Sequence, residues 1–89
     1  MTANAPLSDV NVRDELYAVI LSILPGLKAG EINESLHLKD IGADSVDRVE
    51  IILGVLAHFD LREPMSSFSE VPNIRALIVL LTQLVREKI

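Results

Sequence analysis

The 89-residue chain contains no cysteine and no tryptophan, and aromatic residues make up only 3% of it. Without cysteine it can form neither a disulfide nor a thiolate zinc site, and it has no thiol nucleophile. A net charge of −5 argues against nucleic-acid binding, which needs a basic surface and stacking aromatic rings. No apolar run approaches the roughly 20 residues that span a bilayer, and the first residues do not form a signal peptide. We therefore expect a cytoplasmic protein without nucleic-acid or membrane partners.

Apolar residues are abundant at 49% of the chain, and the length suits one domain. Residues 1–8 are expected to be a flexible lead-in, and residues 9–89 the domain. Three segments place apolar residues at the 3.6-residue period, and no segment alternates as a strand does. The sequence therefore predicts an all-α bundle of three long helices and one short helix, with a long first loop at residues 25–43.

Turn and capping residues set the expected helix boundaries. The first helix should begin near Ser8 or Asn11 and stop before Pro25. The second should run from residues 44–45 to about residue 59, a single turn should form at residues 66–70, and the last helix should start after Asn73. The inner face of the last helix is predicted from six apolar positions: Ile74, Leu77, Ile78, Leu81, Leu84 and Val85.

The second predicted helix carries more apolar residues than one face can hold. Those at helical spacing are Val46, Val49, Ile52, Leu53, Leu56 and Phe59, and Ile51 and Val55 widen the apolar surface. We expect Val46 and Leu56 to be exposed.

Residues 38–50 are the segment most informative about function. They place Ser45 in the first turn of a helix, directly after a loop that contains Gly42. Asp44 can cap this helix, and Asp47 stands where its carboxylate can bond back to the cap. The Ser45 hydroxyl would then face solvent beside the positive end of the helix dipole, which favours an attached phosphate.

This segment resembles the acyl carrier protein family, and the resemblance extends over roughly residues 10–87. The matching pattern is Leu38-x-x-Ile41-Gly42-Ala43-Asp44-Ser45-Val46-Asp47, followed by Val49, Glu50, Phe59, Asp60, Pro64 and Val71-Pro72-Asn73-Ile74. It implies an acyl-carrier-like four-helix bundle whose Ser45 receives 4′-phosphopantetheine from coenzyme A. A phosphopantetheinyl transferase with Mg²⁺ would attach this arm, and the arm's thiol would carry acyl groups as thioesters. The chain itself would be a monomeric carrier and not an enzyme.

The negative charge is concentrated near Ser45. Between residues 40 and 60 there are five carboxylates and one arginine, which leaves four of the five net negative charges in that stretch. Such a field can steer basic partners, and the resemblance implies docking through the second helix. The predicted docking residues are Val46, Asp47, Arg48, Glu50, Ile52 and Leu56. No metal site is predicted, since His37 and His58 do not have a metal-binding spacing with the carboxylates.

The pattern of residues 44–48 is similar to free-standing carrier proteins of polyketide and antibiotic biosynthesis, in particular those of β-branching cassettes. That likeness implies an acetyl donor to a 3-hydroxy-3-methylglutaryl (HMG) synthase-like enzyme, with a ketosynthase as another partner. Fatty-acid carrier proteins instead have an acidic run where this chain has Leu56, Ala57 and His58.

Three alternatives stay open from the sequence. One is a carrier protein of fatty-acid synthase or of a modular polyketide line. Another is a helical interaction module without a cofactor, in which Ser45 is only a helix cap whose loss would cost about 1 kcal/mol. The third is a small hydrolase that uses Ser45, for which the sequence offers no base or oxyanion arrangement.

Overall fold

A computed structural model describes residues 9–88, with side chains from residue 12 onward. Its long helices are α1 (Asp9–Ile23), α2 (Ser45–His58) and α3 (Ile74–Lys88), with 3₁₀ helices at Ala29–Glu31, Leu38–Ile41 and Met65–Phe68. No strand occurs in residues 9–88. The predicted all-α class with three long helices is confirmed. The short helix follows Pro64, one residue earlier than predicted.

Two predictions concern the N-terminal part of the chain. The lead-in of residues 1–8 and the proposed cap Ser8 lie outside the described residues. Asn11 is not a cap, because α1 has already begun at Asp9.

The core consists of one apolar face from each long helix. The side chains that are almost completely buried are Val12, Leu16, Ile20, Ile51, Val55, Ile74, Ile78 and Leu81. Five of the six positions predicted for the inner face of α3 are buried, and Leu84 is half-buried against the same core. Thr82 is also buried, and its hydroxyl donates to the Ile78 carbonyl at 2.7 Å. A buried polar group is thereby satisfied inside the helix.

The side of α2 that is buried differs in part from the side predicted from the sequence. Its buried residues are Ile51, Ile52, Val55 and Leu56, whereas Val46, Val49 and Leu53 are 64%, 41% and 50% exposed. The expected exposure of Val46 is confirmed. The expected exposure of Leu56 is wrong, because only 4% of Leu56 is accessible.

Gly54 helps to fix this orientation by allowing α1 and α2 to approach closely. A Cβ atom at Gly54 would stand 3.0 Å from Cγ1 of Val19. This is tighter than ordinary van der Waals contact, so the glycine marks the side of α2 that faces α1.

The long first loop is anchored to α3 through its backbone. The Ile74 amide donates to the Leu36 carbonyl, and the Arg75 amide donates to the Glu34 carbonyl, each at 2.9 Å. These bonds satisfy amide groups in the first turn of α3 that have no partner within the helix. Within the loop, Ile32 and Leu38 are buried in the core, while Leu36 is 37% exposed.

A polar cluster around Glu34 ties the loop to α1 and α3. The Glu34 carboxylate accepts hydrogen bonds from Arg13 and from the Tyr17 hydroxyl, the latter at 2.8 Å, and lies 3.6 Å from the Arg75 guanidinium. Burial raises the pKa of Tyr17 to about 12, and the hydrogen bond to Glu34 adds to this rise. For Glu34, burial opposes ionisation, but the hydrogen bonds from Arg13 and Tyr17 prevail and lower its pKa. The cluster therefore holds an ionised carboxylate at the base of the loop.

None of the helices in the described range is long and apolar enough to cross a membrane. The cytoplasmic location expected from the sequence stays a prediction.

Candidate functional site

The turn before α2 determines where Ser45 lies. The 3₁₀ helix Leu38–Ile41 ends at Gly42, which has φ of 107° in the left-handed region that favours glycine. The Gly42 amide donates to the Lys39 carbonyl and the Ala43 amide to the Leu38 carbonyl, each at 3.2 Å. Ala43 is buried, so this closed turn is anchored to the core directly before Asp44.

Asp44 and Asp47 form the capping box that the sequence predicts. The Asp47 amide donates to the Asp44 carboxylate at 2.8 Å, and the Asp44 amide donates to the Asp47 carboxylate at 3.3 Å. Asp44 has extended backbone angles and is the N-cap of α2. Ser45 is therefore the first helical residue and not the cap.

The Ser45 side chain makes no contact that would explain a structural role for this serine. It is exposed, and within residues 9–88 its hydroxyl makes no hydrogen bond. The alternative in which Ser45 serves as the helix cap is wrong, because Asp44 performs that function. The free hydroxyl is consequently available for chemical modification.

Ser45 lies on the wall of a cleft of about 470 Å³. The cleft lies between α2 and the 3₁₀ helices Leu38–Ile41 and Met65–Phe68, and α3 contributes Leu77 to its lining. Its apolar lining is Leu38, Val49, Ile52, Met65, Phe68, Val71 and Leu77, and its polar lining is His37, Lys39, Ser45, Arg48, Ser69 and Asn73. A group attached to Ser45 can therefore reach either solvent or this cleft.

His37 and Ser45 both line the cleft, but they are not hydrogen-bonded to each other as a catalytic pair would be. The His37 Nδ1 atom accepts a hydrogen bond from the Lys39 amide at 3.1 Å, and no hydrogen bond joins His37 to the Ser45 hydroxyl in the described structure. A hydrolase would need a base within hydrogen-bond reach of its nucleophile, oriented by a third group. The geometry instead suits a serine that is modified by another protein.

The predicted docking residues separate into three groups by exposure. Val46 and Glu50 are exposed on α2, while Asp47 and Arg48 are half-buried near Ser45. Ile52 and Leu56 are 8% and 4% exposed and belong to the core. Neither of these two can form an exposed docking surface.

On α2, Val49 and Leu53 are exposed apolar residues whose exposure was not predicted from the sequence. Together with Val46 they follow the i, i+3, i+7 spacing that places residues on one helix face. We call these three residues the outer face of α2. Gly54 was the sequence signal that could have identified this face. A glycine between bulky apolar residues indicates a close helix contact, here with α1, and the outer face lies away from that contact.

His58 lies at the other end of α2. Its Nε2 atom is 3.3 Å from the Glu15 carboxylate, and its side chain is 48% exposed. In the described part of the chain, no group of three or more histidines and carboxylates is placed to hold a metal ion.

Comparison with known proteins gives one family match. Residues 6–81 match the family described as "Phosphopantetheine attachment site". No solved structure matches the chain.

The similar curated proteins are of two kinds, small acyl carrier proteins and large polyketide synthases. The acyl carrier protein of Chlorobium luteolum is 30% identical over 73 residues, which cover 81% of this chain and 92% of that protein. The polyketide biosynthesis acyl-carrier-protein AcpK of Bacillus subtilis is 40% identical over 62 residues, 70% of this chain and 76% of that protein. The non-reducing polyketide synthase mapC' of Penicillium brevicompactum is 29% identical over 79 residues, 86% of this chain. The chain spans only 4% of the length of that synthase.

Proposed function

Because this chain belongs to the phosphopantetheine attachment family, whose members carry 4′-phosphopantetheine, we propose that Ser45 is the residue that bears this arm. The observation that carries the assignment is that Ser45 is exposed at the first position of α2, at a cleft, with no structural role. A serine hydroxyl can form the required phosphodiester: its oxygen bonds to the pantetheine-bearing phosphorus of coenzyme A, the pyrophosphate bond breaks, and adenosine 3′,5′-bisphosphate leaves.

The chain's own residues present the hydroxyl and do not activate it. The Asp44–Asp47 capping box fixes the start of α2, and the positive end of the helix dipole favours phosphate on Ser45. The phosphopantetheinyl transferase must supply the base and the Mg²⁺. When bound, the arm supplies the thiol that a chain without cysteine lacks, and acyl groups are held on it as thioesters. The chain is in this sense a carrier and not a catalyst.

Intact mass after incubation with coenzyme A and a broad-specificity transferase tests this assignment. Wild type should gain the mass of one arm, and Ser45→Ala should gain none. Ser69→Ala is the matched control, because Ser69 is an exposed serine that lines the same cleft. Equal modification of Ser45→Ala would overturn the assignment.

We propose that the carrier acts in polyketide biosynthesis. Its likeness to the polyketide carrier AcpK supports this pathway, as does the resemblance of residues 44–48 to free-standing carriers of β-branching cassettes. The narrower role is that of acetyl donor to an HMG-synthase-like enzyme. A ketosynthase is a further partner of the same class.

The outer face of α2 is the surface we propose for these partners. Its three apolar side chains are exposed beside Glu50 and close to Ser45. An enzyme that receives the arm must contact the protein near its attachment point, so this strip suits a partner with an apolar patch bordered by basic residues.

A reconstituted transfer assay tests the donor role. The acetyl-loaded protein is mixed with an HMG-synthase-like enzyme and a β-ketoacyl group on a second carrier. The expected result is loss of acetyl from this chain and a mass gain on the second carrier of one acetyl group plus one water, because the acetyl carbon adds to the β-keto group and its own thioester is hydrolysed. Leu53→Glu should slow the transfer, while Gln83→Glu, which places a charge on the exposed side of α3, should not.

Fatty-acid synthesis is the second candidate, favoured by the match to most of the Chlorobium luteolum acyl carrier protein. Extension of the loaded arm to a long acyl chain by fatty-acid enzymes, without acetyl transfer in the assay above, would establish it.

A further inference from the structure

The wall of the cleft beside Ser45 has a charge opposite to that of the protein. Its titratable lining residues are His37, Lys39 and Arg48, and the described lining contains no carboxylate. The whole chain nevertheless carries a net charge of −5. A cationic lining in an acidic protein suits an anionic occupant, since local charge and not net charge decides what binds.

Among the titratable lining residues, Arg48 is the one nearest to Ser45 in sequence. It lies three residues after Ser45, so the two side chains share one face of α2. Arg48 is half-buried in the cleft wall, and its side chain forms neither an ion pair nor a hydrogen bond within residues 9–88. Its guanidinium donors therefore remain available to a ligand, and a guanidinium can bind an oxyanion through two parallel hydrogen bonds.

The other side of Ser45 has the reverse character. Asp44 directly precedes it and Asp47 follows two residues later, and each carboxylate accepts an amide hydrogen bond of the capping box. An anion attached near Ser45 is repelled by these carboxylates and attracted toward Arg48 and Lys39. Both effects direct it to the cleft.

We propose that Arg48 and Lys39, with His37 beside them, form an anion-binding site for an oxyanion carried by the arm itself. This inference rests on the proposed attachment to Ser45. The shared chemistry is that of an oxyanion, and two sources exist: the phosphodiester next to Ser45, and a carboxylate at the end of an acyl group. Through this site Arg48 positions the arm along the cleft.

The experiment follows the arginine Nε–Hε signals by NMR in four states of the protein: apo, holo, acetyl-loaded and malonyl-loaded. The Arg48 signal should shift between apo and holo if the phosphodiester is bound. If the carboxylate is bound, it should shift between the acetyl and malonyl states, which differ by that group. Arg62, an exposed arginine in the connector after α2, should not move in either comparison.

Variants separate positioning from a general charge effect. If the phosphodiester is the bound oxyanion, the ³¹P signal of the holo arm should change in Arg48→Gln, return part of the way in Arg48→Lys, and be unaffected in Arg62→Gln. The difference between wild type and Arg48→Gln should shrink at about 1 M salt, where screening acts within about 3 Å.

The outcomes distinguish this inference from the proposed function. Modification at Ser45 with an Arg48 signal unmoved in all four states, and an unchanged ³¹P signal in Arg48→Gln, would overturn the anion site alone. A protein that gains no arm would overturn the proposed function and this inference with it.

Discussion

The two faces of α2 are similar in composition and differ in environment. The inner face, Ile51, Ile52, Val55 and Leu56, is at most 8% exposed, whereas the outer face, Val46, Val49 and Leu53, is at least 41% exposed. Both consist of aliphatic residues. Hydrophobicity alone therefore does not identify which residues form the core and which are left for partners.

The difference shows how one helix can support both the fold and the proposed function. The inner face packs against α1, where Gly54 allows close approach, and burial of its side chains contributes about 1.5–3 kcal/mol each. The outer face begins beside Ser45 and adds little to stability. Substitutions on the inner face should therefore lower stability much more than substitutions on the outer face.

Leu56→Glu and Leu53→Glu are a matched pair on α2. Leu56→Glu should destabilise the fold by more than about 3 kcal/mol, because it places a carboxylate in the core and removes a packed side chain. Leu53→Glu should change stability by no more than about 0.5 kcal/mol. Urea unfolding measures both, and comparable losses in the two variants would refute the assignment of the faces.

Glu34→Ala tests whether the polar cluster around Glu34 stabilises the fold. Loss of the charged hydrogen bonds from Arg13 and Tyr17 should cost about 2 kcal/mol. The pKa of Glu34 is lowered in the folded state, so its stabilisation is present above the unfolded pKa of about 4.3 and is lost as the pH falls through the folded pKa. Chemical denaturation at neutral and acidic pH should therefore show a difference between variant and wild type that narrows in acid.

Tyr17 reports on the same cluster by absorbance, because it is the single tyrosine of the chain and tryptophan is absent. Alkaline titration should give a pKa of about 12. Glu34→Gln should lower this pKa only part of the way toward 10, since burial is the larger cause of the shift. A Tyr17 pKa near 10 in wild type would contradict the packing of the loop.

Asp44→Ala removes the cap of α2. The expected cost is about 1 kcal/mol, measured by urea unfolding, with Glu50→Ala as the control, because Glu50 is an exposed carboxylate of the same helix that makes no hydrogen bond within residues 9–88. Equal stability of Asp44→Ala and wild type would mean that the capping box does not fix the start of α2.

The sequence predicted the elements of this fold better than their orientation. Asn73 caps α3 as predicted, its side chain accepting from the Ala76 amide at 2.8 Å, because capping depends on residues close in sequence. Leu56 was misplaced because α2 is apolar on most of its surface, and only contacts with α1 decide which side is buried. The Glu34 cluster was missed because it joins residues far apart in the chain, which no local pattern reveals.

The functional segment was more predictable than the cleft beside it. Asp44, Ser45 and Asp47 lie within four residues, so their geometry follows from helix capping. The lining contributed by Phe68, Val71 and Leu77 comes from segments that follow α2 in the chain, and no local pattern predicts that they meet α2 there.

The most direct test of the central claim is to locate the arm by tandem mass spectrometry on the modified protein. The account predicts that every fragment with added mass contains Ser45, and that Ser45→Ala yields no modified fragment. Arm-bearing fragments that exclude Ser45, such as those containing only Ser66, Ser67 or Ser69, would contradict it.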